Sequence, residues 1–102
     1  MEDRPILELL LLDPYFNDVE LLADDYRKIA VCESSLNPTA INPTGKYRGL
    51  FQFDSRSWKY VGGSGDPARA SVREQYKRAQ MLVSRQGFNR AFPQCAKKMG
   101  VK

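Results

Sequence analysis

Apolar side chains recur at helical intervals in several parts of the chain. The leucine-rich run from Ile6 to Leu12 follows Pro5 and precedes Asp13-Pro14, which predicts a short first helix. The most regular pattern predicts a helix that begins at the capping box Ser71-Val72-Arg73-Glu74 and runs to Gly87. Its apolar face consists of Val72, Tyr76, Ala79 and Val83. These intervals indicate a mostly helical protein.

Between these two helices, a third apolar stripe leads to a carboxylate. A cap at Asn17 or Asp18 predicts a helix that runs to about Ser34. Its apolar positions follow one another at intervals of three, four and three residues, and they are Val19, Leu22, Tyr26 and Ile29. The next step of four residues reaches Glu33, so this glutamate lies in line with side chains that face the interior. Because burial disfavours the charged form, we expect the pKa of Glu33 to be raised.

The middle of the chain is rich in residues that favour turns. Two Asn-Pro pairs, at 37–38 and 42–43, and Gly45 interrupt the segment from Leu36 to Arg48. These turn-forming residues predict either an irregular loop or a small β-hairpin.

The segments that follow are short. Asp54 or Ser55 is expected to cap a brief helix that carries Trp58. The glycine-rich segment 62–67 is predicted to be a flexible connection. The end of the chain, residues 88–102, is predicted to be irregular with one further turn.

Length and composition indicate one globular domain without a membrane span. The chain has 102 residues, of which 42% are hydrophobic and 27% charged, as in globular proteins. No apolar run approaches the roughly 20 residues that a transmembrane helix needs, and the first residues lack the order of a secretory signal peptide. With no histidine and two cysteines, the chain lacks the ligands of a usual zinc site and the base of a histidine triad. We expect no metal and no cofactor.

The charge is unevenly distributed along the chain. The first 25 residues contain eight acidic residues and one basic residue, whereas the remaining 77 contain four acidic and fifteen basic residues. A basic surface attracts polyanions, which include nucleic acids, anionic membrane surfaces and bacterial wall polymers. A nucleic-acid-binding domain is therefore a rival interpretation. The chain contains no recognisable groove-reading motif, so we expect no nucleic-acid partner.

Four short segments occur in an order that is typical of one protein family. They are Cys32-Glu33-Ser34, Gly49-Leu50-Phe51-Gln52-Phe53, Ser57-Trp58 and Phe92-Pro93-Gln94-Cys95. Together they resemble the catalytic domain of the resuscitation-promoting factors and related transglycosylase-like proteins of actinobacteria and their phages, within the lysozyme-like superfamily. The resemblance covers about residues 22–95. Two departures are that Ser35-Leu36 replaces the family's usual Gly-Gly and that Phe92 replaces its usual tryptophan.

The resemblance implies a fold, a substrate and a set of site residues. The implied fold is a single α+β, mostly α, lysozyme-like domain, which we place at residues 21–102. An acidic helical extension, residues 1–20, is expected to precede it. The implied activity is that of a lytic transglycosylase, an enzyme that cuts the β-1,4 bond between N-acetylmuramic acid and N-acetylglucosamine in peptidoglycan. Glu33 is implied as the catalytic acid and Gln52 as a sugar contact. The resemblance also implies that Cys95 pairs with Cys32.

The reaction needs a proton donor, and the sequence leaves open whether one carboxylate or two take part. A glycosidic oxygen is a poor leaving group until it is protonated, and a half-buried glutamic acid can supply the proton. If Glu33 acts alone, the hydroxymethyl oxygen of muramic acid attacks its own anomeric carbon, and Glu33 serves first as acid and then as base. The product is then an anhydro sugar. Lysozyme-type hydrolysis with Asp54 assisting is the alternative, although Asp54 is also expected to cap a helix.

Each further candidate for sugar contact has a structural alternative. Tyr47 and Trp58 either stack on sugar rings or belong to the core. Asn42 is a candidate polar contact, and Gln52 either binds the substrate or holds a loop through its amide. The two cysteines either form a bridge or remain buried thiols. For the whole protein, the rival to the enzyme is a non-catalytic wall-binding module or a virion structural module with the same fold.

The partner and the location follow from the same interpretation. We expect the glycan strands of peptidoglycan as partner and the extracellular cell wall as the place of action, for either a cellular protein or a phage virion protein or lysin. The acidic segment 1–20 is not part of the resemblance. It is expected to pack as an amphipathic helix on the basic domain, with a docking element for a protein partner or an inhibitory lid as alternatives.

Overall fold

The computed structural model describes residues 19–102, and helices dominate this part of the chain. The described helices are α1 (Asp24–Ser34), α2 (Ser55–Tyr60), α3 (Val72–Gln86), α4 (Phe88–Ala91) and α5 (Pro93–Met99), with a 3-10 turn at Pro67–Arg69. Outside the helices, the β structure of the described residues consists of two isolated bridges, which join Arg48 to Ile41 and to Phe53. The predicted α+β, mostly α class is confirmed. The helix predicted at 6–12 lies outside the described residues, as does most of the proposed extension 1–20.

Helix α1 begins later than predicted. The predicted helix ran without a break to Ser34, but residues 21–23 form a turn and α1 begins at Asp24. Ala23 is extended, and its backbone N–H donates a hydrogen bond to the hydroxyl of Tyr76 on α3 (3.2 Å). Leu22 is buried although it lies in the turn. The apolar spacing is therefore kept across a break that a tertiary contact stabilises.

Helices α2 and α3 have the caps that the sequence predicts. The Asp54 side chain accepts a hydrogen bond from the backbone N–H of Ser57 (2.8 Å), and the Ser71 hydroxyl accepts one from the backbone N–H of Glu74 (3.0 Å). The Glu74 carboxylate pairs with Arg78, one turn further along α3 (2.7 Å). These caps define where the helices begin.

The end of the chain is more regular than predicted. Residues 88–99 form α4 and α5, where we expected irregular structure with a single turn. Pro93 occupies the first turn of α5, and Gly100 ends it in a left-handed conformation. Cys95 and Ala96 are buried. Helices this short depend on packing rather than on their own propensity, which is why the local pattern did not predict them.

A disulfide and a buried glutamine hold the central loop and the helices together. The disulfide between Cys32 and Cys95 joins α1 to α5 with 5.8 Å between the Cα atoms, which confirms the pairing that the resemblance implied. Gln75 of α3 is completely buried. Its Oε1 accepts from the backbone N–H of Leu50 (2.6 Å), and its Nε2 donates to the carbonyls of Ala70 (2.9 Å) and Pro38 (3.2 Å).

The packing around Gln75 also explains a glycine in the central segment. Gly49 has a positive φ of 88°, and a Cβ at this position would overlap the side chain of Gln75. The segment 36–53 therefore folds as an irregular, tightly anchored loop. No helix in the described part of the chain is both long and apolar enough to cross a membrane.

Candidate active site

A cleft of about 560 Å³ opens beside the C-terminal end of α1. From α1, the central loop and α2, its lining residues are Glu33, Asn42, Tyr47, Phe51, Gln52, Phe53, Asp54 and Ser57. From the last three helices they are Leu82, Ala91, Phe92, Pro93 and Gln94. The rings of Phe51 and Phe92 lie 6.0 Å apart and are almost completely buried beneath the cleft. Polar side chains are distributed among them, as in many ligand-binding clefts.

Glu33 is the candidate acid, and its environment favours the neutral form. The side chain lies in the last turn of α1, is half-buried and lines the cleft. Among residues 19–102, no side chain forms a salt bridge or a hydrogen bond with its carboxylate. Desolvation by burial raises the pKa of Glu33 from its ordinary value of 4.5 to about 7. The protonated form of Glu33 therefore persists to much higher pH than that of an ordinary glutamate, so near neutral pH the group can give a proton and take one back.

The neighbours of Glu33 hold its backbone on both sides. The Ser34 hydroxyl lies 2.8 Å from the carbonyl of Leu50, to which it donates, and accepts from the backbone N–H of Asn37 (3.1 Å). On the other side, Cys32 is covalently linked to α5. The carboxyl group is therefore presented by a helix end that is fixed to two other segments.

The chain leaves α1 through two consecutive residues with positive φ. Ser35 has a φ of 56° and Leu36 a φ of 60°, in the left-handed region that glycine adopts most readily. These are the two positions at which the family usually has Gly-Gly. Ser35 and Leu36 therefore adopt a backbone conformation that glycine takes without penalty, at a cost in local strain.

Gln52 and Asn42 line the cleft and also stabilise its loop. The Gln52 Nε2 donates to the carbonyls of Gly49 (2.9 Å) and Ala40 (3.3 Å), while its Oε1 accepts no hydrogen bond within residues 19–102. Gln52 itself has a positive φ of 54°. The Asn42 Oδ1 accepts from the backbone N–H of Tyr47 (3.2 Å). Each amide thus uses one end for the loop, and the other end is available to a ligand.

The two aromatic candidates have different positions. Tyr47 is 39% exposed and lines the cleft, so its ring is accessible for stacking. Trp58 is only 2% exposed, its Nε1 donates to the carbonyl of Ser64 (3.1 Å), and its ring packs edge-on against Phe53 (5.0 Å). Gly63 also packs against the indole, where a Cβ would overlap it. The prediction that Trp58 contacts the substrate is therefore wrong, and its alternative as a core residue is correct.

Some lining residues were not predicted as site residues. Ser57, Phe92 and Gln94 line the cleft, and Gln94 adds an exposed polar group from α5. A signal for Gln94 was present in the sequence, because it directly precedes Cys95. Once Cys95 is paired with Cys32, its neighbour Gln94 must lie near the neighbour of Cys32, the candidate acid.

Asp54 is the second carboxylate among the residues that line the cleft. Its Oδ1 accepts the hydrogen bond that caps α2, so the predicted role as a cap is confirmed. Within the described residues, no group of three or more potential metal ligands occurs. Glu33 and Asp54 are the two carboxylates that line the cleft.

Comparison with known proteins identifies similar domains. The family described as "Transglycosylase-like domain" matches residues 22–95. The chain is 41% identical over 78 residues to the resuscitation-promoting factor Rpf of Micrococcus luteus, which is 76% of this chain and 34% of that protein. It is 40% identical over 73 residues to the resuscitation-promoting factor RpfC of Mycobacterium tuberculosis, which is 72% of this chain and 51% of that protein. The chain thus spans between a third and a half of the length of these relatives, and the resemblance seen in the four segments is confirmed.

Proposed function

The chain belongs to the transglycosylase-like domain family, and from this premise we propose that it is a peptidoglycan-cleaving lytic transglycosylase that cuts the β-1,4 bond between N-acetylmuramic acid and N-acetylglucosamine. The observation that carries the proposal is the half-buried Glu33 in an open cleft, with a pKa of about 7. A carboxyl group of this kind is a general acid at neutral pH. The proposed place of action is the cell wall.

In the first step, Glu33 donates its proton to the glycosidic oxygen. The bond between the anomeric carbon of muramic acid and this oxygen breaks, and the N-acetylglucosamine side leaves as an alcohol. The positive charge that develops on the sugar ring faces the newly formed Glu33 carboxylate. A site with low dielectric strengthens this attraction, because few water molecules screen it.

In the second step, Glu33 acts as a base. Its carboxylate removes the proton from the C6 hydroxyl of the same muramic acid, and the C6 oxygen forms a bond with the anomeric carbon. The product is a 1,6-anhydro sugar, and Glu33 is again protonated. No water is consumed, so a single carboxyl group completes the cycle.

The polar and aromatic side chains around Glu33 are the proposed sugar contacts. Tyr47 provides a ring for stacking. Gln52 and Asn42 each keep one end of their amide for hydrogen bonds to acetamido and hydroxyl groups, and Gln94 supplies a further amide from α5. These four residues line the same cleft as Glu33, which supports their proposed role in holding the sugars on either side of the bond.

A second candidate is hydrolysis, and the position of Asp54 favours it. Asp54 lines the same cleft as Glu33, and glycosidases that use water generally have two carboxylates. In this alternative, Asp54 stabilises the charged sugar or activates a water molecule. The product then has a reducing end rather than an anhydro end.

Digestion of purified peptidoglycan tests the proposal directly. The wild-type chain is incubated with sacculi, and the soluble fragments are identified by mass spectrometry. We expect fragments with anhydromuramic acid ends, which are 18 Da lighter than reducing fragments because no water is added. Glu33→Gln should lower the rate of release about a thousandfold or more, since removal of a catalytic acid eliminates the main route.

Matched variants separate the possible outcomes. Glu20→Gln makes the same chemical change at an exposed position outside the cleft and should retain activity. Reducing ends that disappear in Asp54→Asn would replace the transglycosylase proposal with the hydrolase. Binding to sacculi without release of fragments would refute both reactions and support the non-catalytic module.

A further inference from the structure

A second cavity adjoins the cleft and is lined by basic side chains. It has a volume of about 400 Å³ and shares Phe53 and Asp54 with the lining of the cleft. Its cationic residues are Lys46, Arg48 and Arg56. We call this cavity the basic side pocket. It lies directly beside the cleft, because the same two residues form part of both walls.

Arg48 is the fixed cation of the basic side pocket. Its Nε donates to the carbonyl of Gly45 (2.9 Å), and its Nη1 donates to the carboxylate of Asp66 (2.8 Å). Its Nη2 has no hydrogen-bond acceptor among the described residues. The Arg48 side chain is about one-third exposed, and its two hydrogen bonds hold the guanidinium in one orientation with Nη2 left over. An oriented guanidinium of this kind binds carboxylates and phosphates well.

Lys46 and Arg56 add positive charge that the described residues do not neutralise. The Lys46 ammonium lies 5.4 Å from the centre of the Tyr47 ring, and neither Lys46 nor Arg56 forms a salt bridge with residues 19–102. The pocket therefore has an excess of positive charge even after Asp66 is paired with Arg48 and the Asp54 carboxylate in the pocket wall is counted. A ligand for it should be an anion.

The contact between Lys46 and Tyr47 links the pocket to the proposed sugar site. Tyr47 lines the cleft and Lys46 lines the basic side pocket, on adjacent positions of the chain. A substituent on a sugar that stacks on Tyr47 therefore has a short path to the pocket. Because such a substituent is covalently attached to the bound sugar, its effective concentration at the pocket is high.

We propose that the basic side pocket binds a carboxylate of the stem peptide carried by a muramic acid in the cleft, so that strands with free stem-peptide carboxylates are the preferred substrates. The inference rests on the proposed function and specifies its substrate class. Muramic acid carries its peptide on a lactyl side chain, and the peptide ends in free carboxylates. Arg48 supplies the oriented contact, and Lys46 and Arg56 supply the surrounding charge.

The test uses two substrates that differ only in charge. Soluble glycan chains with stem peptides are divided, and one half is treated with a carbodiimide and ammonia to convert carboxylates into amides. We measure kcat/KM for both substrates and take their ratio for each protein, so that any general loss of activity cancels. For the wild type, the free-carboxylate chains should be cleaved about three- to tenfold better than the amidated chains.

Variants of the pocket show whether the preference arises there. In the double variant Arg48→Gln/Arg56→Gln, which removes the oriented contact and part of the surrounding charge, the ratio should fall close to one. The control Lys59→Gln/Lys77→Gln removes the same charge from two exposed positions that line neither cavity, and it should retain the wild-type ratio. A ratio that falls equally in both double variants would show a long-range charge effect and would overturn the proposal.

The remaining outcomes are also decisive. If the wild type cleaves both substrates equally, or the pocket variant keeps the preference, the stem-peptide inference is wrong and the transglycosylase proposal stands. If the wild type cleaves neither substrate, the proposed function fails and this inference fails with it. If soluble poly(glycerol phosphate) inhibits the wild type but not the pocket variant and amidation has no effect, the pocket binds a phosphate polymer and the proposal is wrong.

Discussion

The substitution Glu33→Gln should stabilise the folded protein at alkaline pH while it removes catalysis. Glutamine has nearly the same shape as protonated glutamic acid, but it never carries a charge. Because the Glu33 pKa is raised to about 7 by burial, the ionised carboxylate is disfavoured in the folded state. The protonated carboxyl group makes its full contribution to the stability of the folded state below about pH 4.5, and this contribution is lost as the pH rises through about 7.

The structure sets the size of this effect. Each pKa unit corresponds to about 1.4 kcal/mol, so a change from 4.5 to about 7 gives an upper limit of roughly 3 kcal/mol. The side chain is only half-buried, and solvent reduces the penalty for the charged form. We therefore expect Glu33→Gln to raise the free energy of unfolding by about 1–2 kcal/mol at alkaline pH, relative to its effect in acid.

Urea denaturation at two pH values measures the effect. Unfolding of the wild type and of Glu33→Gln is followed by circular dichroism at about pH 4 and about pH 8.5. The other carboxylates titrate in both proteins and cancel in the difference. Glu20→Gln, at an exposed position, serves as the control and should show a much smaller pH-dependent difference.

Two results would refute the reasoning. One is a stability difference between Glu33→Gln and the wild type that is the same at both pH values, because the carboxyl group would then not be desolvated. The other is a variant that loses stability at alkaline pH, because the ionised Glu33 would then have a stabilising partner.

Three further predictions concern the scaffold around the cleft. Ser35→Gly should raise the melting temperature by about 3–6 °C, since glycine adopts the positive φ of 56° without strain, whereas the control Ser84→Gly within α3 should lower it. Gln75→Leu should lower the free energy of unfolding in urea by about 3 kcal/mol or more, because three buried backbone groups lose their partner. Replacing Cys32 and Cys95 with alanine should lower it by about 4 kcal/mol, because the bond closes a loop with a separation of 63 residues.

Each of these predictions has an opposing result. A melting temperature that falls in Ser35→Gly would mean that the serine side chain stabilises the turn. A Gln75→Leu variant as stable as the wild type would mean that the three backbone groups find other partners. A double cysteine variant with unchanged stability would mean that α1 and α5 need no covalent link.

The raised pKa of Glu33 could be predicted because it depends on local periodicity, whereas the role of Glu33 as the acid was implied by the resemblance to the family. Glu33 continues an apolar stripe by one helical step, and the stripe survives the break at residues 21–23. The same reasoning could not detect that break, because the hydrogen bond from Ala23 to Tyr76 joins residues that are 53 positions apart. Contacts of this kind are absent from any local pattern.

The position of Trp58 shows a second limit of the sequence. Stacking on sugar and packing in the core require the same residue type, and only the tertiary structure distinguishes them. The short helices α4 and α5 could not be predicted for a similar reason, since tertiary packing rather than intrinsic helix propensity stabilises them. Tyr47 was equally ambiguous, and here the exposed ring lies in the cleft.

The disulfide has a mechanical consequence for how the cleft accommodates a polymer. The disulfide joins the residue before Glu33 to the residue after Gln94. Two sides of the cleft are therefore covalently tethered next to the proposed catalytic acid. The disulfide prevents these two sides of the cleft from separating. The covalent link between α1 and α5 therefore limits how far the cleft can widen beside Glu33 when a ligand enters.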